Sequence, residues 1–205
     1  MSFNNQITYT PANSSTTGYA ASVTGATFTL SNFSSGDGVA RKVSILNNTV
    51  TDHSAKTLTI IGLNAENKTI TEVLSAPGAS ATVVSVNYYL SIVSITPSAT
   101  IGADTFSIGW GSLFVCPCIP CNWRGGQASI DVTVTGTITY SVEQTWDDIQ
   151  TKTTAFVWVV NNAGEGAQTA KLQIVLAVLP KAYRLNIASY TNGATITLSF
   201  IQRDK

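Results

Sequence analysis

The chain has 205 residues, enough for one or two domains, and its 44% hydrophobic content is sufficient to build a core. Eleven basic residues balance eleven acidic ones, which excludes a strong long-range pull on nucleic acid or anionic lipid. Only 11% of residues are charged, against about a quarter in ordinary domains; Ser, Thr, Asn and Gly supply the polar faces, and such neutral groups cost less to desolvate than charges, so the composition favours assembly with other subunits.

Met1-Ser2-Phe3-Asn4-Asn5-Gln6 carries neither the basic nor the apolar segment of a secretory leader, so the expected compartment is a cytoplasm. Apolar runs such as Ile174-Val175-Leu176-Ala177-Val178-Leu179 fall far short of the roughly 18–20 residues that span a bilayer, and no membrane anchor is expected. Residues 1–24 are rich in Asn, Ser, Thr and Gly, with Phe3, Ile7, Tyr9 and Tyr19 in no sustained period. They predict an extended N-terminal arm that a partner surface would order.

From Ala26 the period is two. Phe28 and Leu30, Val43 and Ile45, and Leu58 and Ile60 alternate with polar residues, as half-buried strands do. The polar run Asn64-Ala65-Glu66-Asn67-Lys68 between Leu58–Ile60 and Thr69–Leu74 predicts a hairpin. Runs over 82–86, 88–95 and 104–110 bring the first module, residues 25–112, to about six strands. Pro117 and Pro120 each remove a ladder N–H, so the segment 113–124, which holds Cys116, Cys118 and Cys121, reads as a linker.

In the second module, residues 125–205, Ile130, Val132 and Val134 share one face, Gly136 turns the chain, and Ile138, Tyr140 and Val142 share a face again. Strands are expected over 156–160, 171–178 and 183–187. Asn192-Gly193 between two alternating runs is the signature of a type I′ hairpin. No helix is predicted. The expected fold is all-β: two β-sandwich or jelly-roll-like modules joined by the Pro/Cys-rich linker, with the N-terminal arm.

No catalytic constellation and no cofactor-binding motif stands out. Cys116-x-Cys118-x-x-Cys121 with His53 offers zinc-ligand residue types, but a second Cys pair is lacking, and packed or interfacial thiols are the expectation. A redox role for Cys118-x-x-Cys121 would need a helix N-terminus. Asp52-His53-Ser54 contains the residue types of a hydrolase triad, yet consecutive residues diverge in space, so a polar loop is expected. Asp147-Asp148, near Glu143, has the make-up of an acid pair or a hard-cation site, and equally of a turn whose carboxylates accept backbone N–H groups. Trp123, Trp146 and Trp158 are the interface or glycan candidates, since an exposed indole stacks on sugars or docks into apolar pockets.

Lys56-Thr57-Leu58-Thr59-Ile60-Ile61-Gly62-Leu63-Asn64-Ala65-Glu66-Asn67-Lys68-Thr69-Ile70-Thr71-Glu72 resembles a hairpin recurrent in small structural proteins of tailed bacteriophages. Gly109-Trp110-Gly111, Thr139-Tyr140-Ser141-Val142-Glu143-Gln144-Thr145-Trp146-Asp147-Asp148 and Tyr183-Arg184-Leu185-Asn186-Ile187 are similar to further segments of such proteins, in the same order. The cysteine cluster departs from the pattern. The resemblance implies a virion component without catalytic residues or cofactors, assembled in the host cytoplasm. Its expected partners are the major capsid protein, for a head decoration protein, or neck and tail proteins, for an accessory subunit. A homo-oligomer that contacts neither nucleic acid nor membrane is expected. The alternative from another class is a carbohydrate-binding adhesin module built on the tryptophans and Asp147-Asp148.

Overall fold

The computed structural model describes residues 3–121, 128–153, 155–161, 166–176 and 178–202. Among them the protein is all-β, without a helix. Fifteen strands are formed: β1 (Phe3–Tyr9), β2 (Ser15–Val23), β3 (Ala40–Asn47), β4 (Thr57–Leu63), β5 (Thr69–Ser75), β6 (Thr82–Tyr89), β7 (Ser91–Pro97), β8 (Phe106–Val115), β9 (Ile119–Pro120), β10 (Ala128–Thr135), β11 (Ile138–Thr145), β12 (Val159–Val160), β13 (Leu172–Leu176), β14 (Ala182–Tyr190) and β15 (Thr195–Gln202). The chain divides into two compact units, one made of Met1–Pro11 with Val115–Lys205 and the other of Ala12–Phe114.

This division corrects the expected arm over residues 1–24. Phe3–Tyr9 pairs along its whole length with β15, Phe3 opposite Gln202 and Tyr9 opposite Ile196, while Ser15–Val23 pairs with β8 in the other unit. Backbone pairing supplies what the polar composition cannot: each strand bonds one of its edges to a sheet that other residues build. The unit boundaries therefore fall at 11/12 and 114/115, where 24/25 and a linker over 113–124 were expected. Within that linker β8 runs on to Val115, and Ile119–Pro120 pairs with β14.

The unit formed by residues 12–114 has one sheet in the order β8-β3-β6, with β2 on β8, and a three-stranded sheet β5-β4-β7. Its core holds Tyr19, Val43, Ile45, Leu58, Ile60, Tyr89, Ile92 and Phe106. The β4–β5 hairpin forms as expected: Asn64 Oδ1 accepts the N–H groups of Glu66 (3.0 Å) and Lys68 (2.8 Å), which closes the turn, and Asn67 takes the left-handed conformation at φ 57°. Phe28 and Leu30 are buried as their alternation predicts, but they lie in an irregular segment rather than a strand. Gly25, Gly36 and Gly38 have positive φ, and Ser31 and Asn32 both donate to the Tyr19 carbonyl, so local turns replace a ladder there.

The second unit packs sheet β1-β15-β10-β13 against strands β12-β11-β14, with β9 on β14. Tyr183 of β14 meets Phe200 of β15 across the core, with ring centroids 6.0 Å apart. Strands β14 and β15 belong to different sheets, so the Asn192-Gly193 turn is not a hairpin but an arch from β14 to β15. A type I′ turn needs positive φ at both central residues, and only Gly193 has it (76°). The β10–β11 arch locks against this one. Thr191 N–H donates to the Thr137 carbonyl (2.9 Å), and a Cβ on Gly136 would lie 3.1 Å from the Ala194 side chain.

In the unit of residues 12–114, Arg41 of β3 is fully buried and ion-paired with the nearly buried Asp37 (2.6 Å). Its guanidinium also donates to the carbonyls of Ala12 (2.7 Å) and Gly111 (2.9 Å) and lies over the Phe114 ring at 5.1 Å. Asp37 returns a bond to the Ala12 N–H (2.8 Å). Burial alone would raise the Asp37 pKa, but the Arg41, Ser35 and Ala12 hydrogen bonds outweigh it and hold the carboxyl below its ordinary 3.8. Arg41→Ala is expected to cost about 3–5 kcal/mol, because it strands a buried carboxylate; urea denaturation followed by circular dichroism measures it. With the folded pKa depressed, the pair's contribution is complete above about pH 4 and is lost as the pH falls below it. Asp37→Asn should flatten that acid limb.

Candidate interaction surface

Trp146 leaves the end of β11 with 55% of its surface exposed. Asp147, the next residue, closes the loop that follows: its Oδ2 accepts from Lys152 Nζ (2.7 Å) and from the Val157 N–H (2.6 Å). The Lys152 hydrogen bond, followed by that from Val157, holds the Asp147 carboxyl below its ordinary pKa. Val157, fixed in this way beside Trp146, is 64% exposed, and the chain then enters β12, whose Val159 and Val160 are both exposed and pair with Gln144 and Glu143. The loop and β12 thus expose one indole and three valines; on the strand, Val159 and Val160 point to opposite faces, Val160 to the side of Glu143 and Val159 to the side of Gln144.

The sheet that β12 joins is fixed by charge. Glu143, on the outward face of β11, stands opposite Arg184 of β14, and its carboxylate takes Arg184 Nε (2.7 Å) and Asn186 Nδ2 (2.8 Å). The Arg184 guanidinium lies over the Trp158 ring at 4.2 Å. Both oxygens of Glu143 are engaged, and its position under these side chains leaves it buried. Asn161 adds a side-chain bond to Gln144 (2.6 Å) and a backbone bond to the Val142 carbonyl (2.9 Å), which anchors the far end of β12.

Two of the three tryptophan candidates, Trp146 and Trp158, thus belong to one loop, the first exposed and the second half-buried as a platform for Arg184. Trp123 lies outside the described residues. Of the two readings of Asp147-Asp148, the turn is the one seen. Asp147 is bound by Lys152 and Val157, and Asp148 Oδ1 accepts the Gln150 N–H (3.0 Å), which is the turn pattern of carboxylates receiving backbone donors. The valines were not foreseen as surface residues, because 156–160 reads only as a strand; Arg184 was hidden in the alternation Tyr183-Leu185-Ile187.

Asp52, His53 and Ser54 do not assemble a triad. Asp52 turns back on itself to accept the Ser54 N–H (2.8 Å), whereas His53 is buried with its ring edge against Phe106 (centroids 5.4 Å apart). Its Nε2 meets Asp104 (3.0 Å) and its Nδ1 meets Lys56 Nζ (3.0 Å). An ammonium has no acceptor, so Nδ1 accepts and Nε2 carries the hydrogen. That arrangement ties three segments together and points no nucleophile at the imidazole.

The cysteines are thiols, with Cys116 buried and Cys118 and Cys121 half-buried. Ile119–Pro120, between Cys118 and Cys121, forms the short strand β9 and not the first turn of a helix. Among the described residues no group of three or more His, Cys, Asp or Glu side chains has metal-holding geometry.

No protein-family model matches the chain, and no curated protein matches it. Solved structures with some likeness include the insecticidal crystal protein Cry7Ca1 of Bacillus thuringiensis, at 10% identity over 80% of this chain and 51% of that one, with a TM-score of 0.22. The chain thus spans about half the length of that protein. The VP2 subviral particle of infectious bursal disease virus aligns at 12% identity over 97% of this chain and 71% of that one (TM-score 0.21), and T=1 particles derived from infectious bursal virus at 10% over 100% and 70% (TM-score 0.20). Scores this low do not define a common topology, and no functional argument rests on them.

Two outcomes are expected. Burial pushes the Cys121 thiol up to about 12, so almost no thiolate exists at pH 8, and Ellman's reagent should leave Cys121 unmodified in the native protein as read by peptide mass mapping. Asp147→Ala removes the bonds to Lys152 and Val157, and limited proteolysis should then cut within residues 148–156 several-fold faster than in the wild type while the rest of the chain stays protected.

Proposed function

We propose that the chain is a non-enzymatic structural component of a tailed-phage virion, and specifically a head decoration protein that binds the capsid surface. The observation that carries the reading is the exposure of Trp146 on a loop that also exposes Val157: an exposed aromatic anchor with apolar residues near it in the chain is what a stable protein contact requires. Trp146 lies within Thr139–Asp148, one of the segments that resemble the phage proteins. The low charge of the chain supports the same conclusion, since docking at many repeated sites buries neutral surface at little desolvation cost. The chain's single histidine is committed to Lys56 and Asp104, which leaves it unsuited to general-base work. The partner is accordingly the major capsid protein, and the location the virion.

The test is co-sedimentation of purified protein with heads that lack it. Wild-type protein should pellet with the heads at saturable stoichiometry, and Trp146→Ala should weaken binding by about tenfold or more with unchanged circular dichroism, the size expected of a central aromatic contact. Binding to isolated necks or tails but not heads would move the protein to an accessory position. Failure to bind any particle, together with Trp146-dependent retention on a glycan array, would replace the virion reading with the adhesin one.

A further inference from the structure

The edges of the sheets differ in how they are protected. A sheet edge presents unpaired N–H and C=O groups, and proteins blunt such edges with charges, proline, bulges or short length. On β6, Glu72 reaches from β5 to accept the N–H groups of Val86 (2.6 Å) and Asn87 (3.0 Å), and the same inward carboxylate marks β5 itself. On β7 the register with β4 breaks opposite Ile61/Gly62, and the strand ends in Pro97. The pairing of β2 shifts register twice, β12 has two residues, and β13 has five.

Strand β1 has none of these devices. It is seven residues long, contains no charge and no proline, and pairs with β15 without a register break. It stands at the end of sheet β1-β15-β10-β13, and its Gln6 and Thr8 side chains are exposed.

We propose that β1 is a dimerisation edge, and that its partner is β1 of a second copy of this chain, paired antiparallel about Gln6. The argument for a second copy is complementarity. An uncharged, unbroken strand of seven residues is matched in length and polarity by itself, and centring the pair on Gln6 uses all seven residues on both sides. The contact is two-fold and isologous, so it closes at two copies instead of growing into a fibre. It joins two four-stranded sheets into one of eight strands. The inference is independent of the virion reading, because it concerns this edge in the isolated protein.

Sedimentation equilibrium of the purified chain at high micromolar concentration should give twice the 21.6 kDa chain mass, about 43 kDa. Gln6→Lys places two ammonium groups face to face at the centre and should weaken the dimer by about tenfold or more without lowering Tm. Mixing Gln6→Lys with Gln6→Glu should restore dimers of the two variants. Gln6→Cys should form an intermolecular disulfide between the two position-6 residues, read by peptide mapping against Cys116, Cys118 and Cys121. A monomeric wild type would overturn the proposal, as would a dimer that Gln6→Lys leaves intact or that Gln6→Cys does not cross-link at position 6.

Discussion

The buried guanidinium of Arg41 is the constraint on which the organisation of the chain depends. Residues 12–114 enter and leave their unit at Ala12 and Phe114, and Arg41 binds the Ala12 carbonyl, the Gly111 carbonyl and the Phe114 ring at once, with Asp37 supplying the counter-charge and a return bond to the Ala12 N–H. A planar fork with five donors can hold these partners in fixed directions; a lysine, with one point charge, cannot. Because the two ends of this segment are held together, the strand that precedes it, β1, and the strands that follow it can belong to one sandwich, and β1 pairs with the last strand, β15.

Charge is used sparingly in the rest of the protein, and several carboxylates serve to fix strands and loops. Glu72 caps a strand edge, Glu143 joins β11 to β14 through Arg184 and Asn186, Asp147 closes the loop beside Trp146, and Asp104 holds His53. Each of these carboxylates accepts from donors within its own unit. The side chains left at the surface are then largely hydroxyls, amides and valines, together with Trp146. A protein built in this way spends its few ions on fixing strands and leaves its faces cheap to cover.

The sequence made the strand content and the core faces legible wherever apolar residues alternate, as in Val43–Ile45, Leu58–Ile60, Ile130–Val132 and Ile196–Phe200. The Asn64–Lys68 hairpin was legible because its turn is closed by its own Asn64 side chain. Pairing partners were not. Alternation shows which side of a strand is buried, not which strand lies beside it, so the Asn192-Gly193 arch reads as a hairpin and the polar strands β1 and β2 read as an arm. Arg41 was invisible for a related reason: a charged residue next to Lys42 looks exposed until its partners, 29 and 70 residues away, are brought to it. Of the interaction surface, Trp146 and Trp158 could be named in advance, while Val157, Val159 and Val160 could not, because exposure on β12 depends on its place at the end of a sheet.

The central claim is that this chain is a capsid-bound structural protein, and cryo-electron microscopy of native particles from the source tests it most directly. The account predicts density for both units repeated over the icosahedral shell, with the Trp146 loop against the major capsid protein. Particles that lack the chain altogether would contradict it.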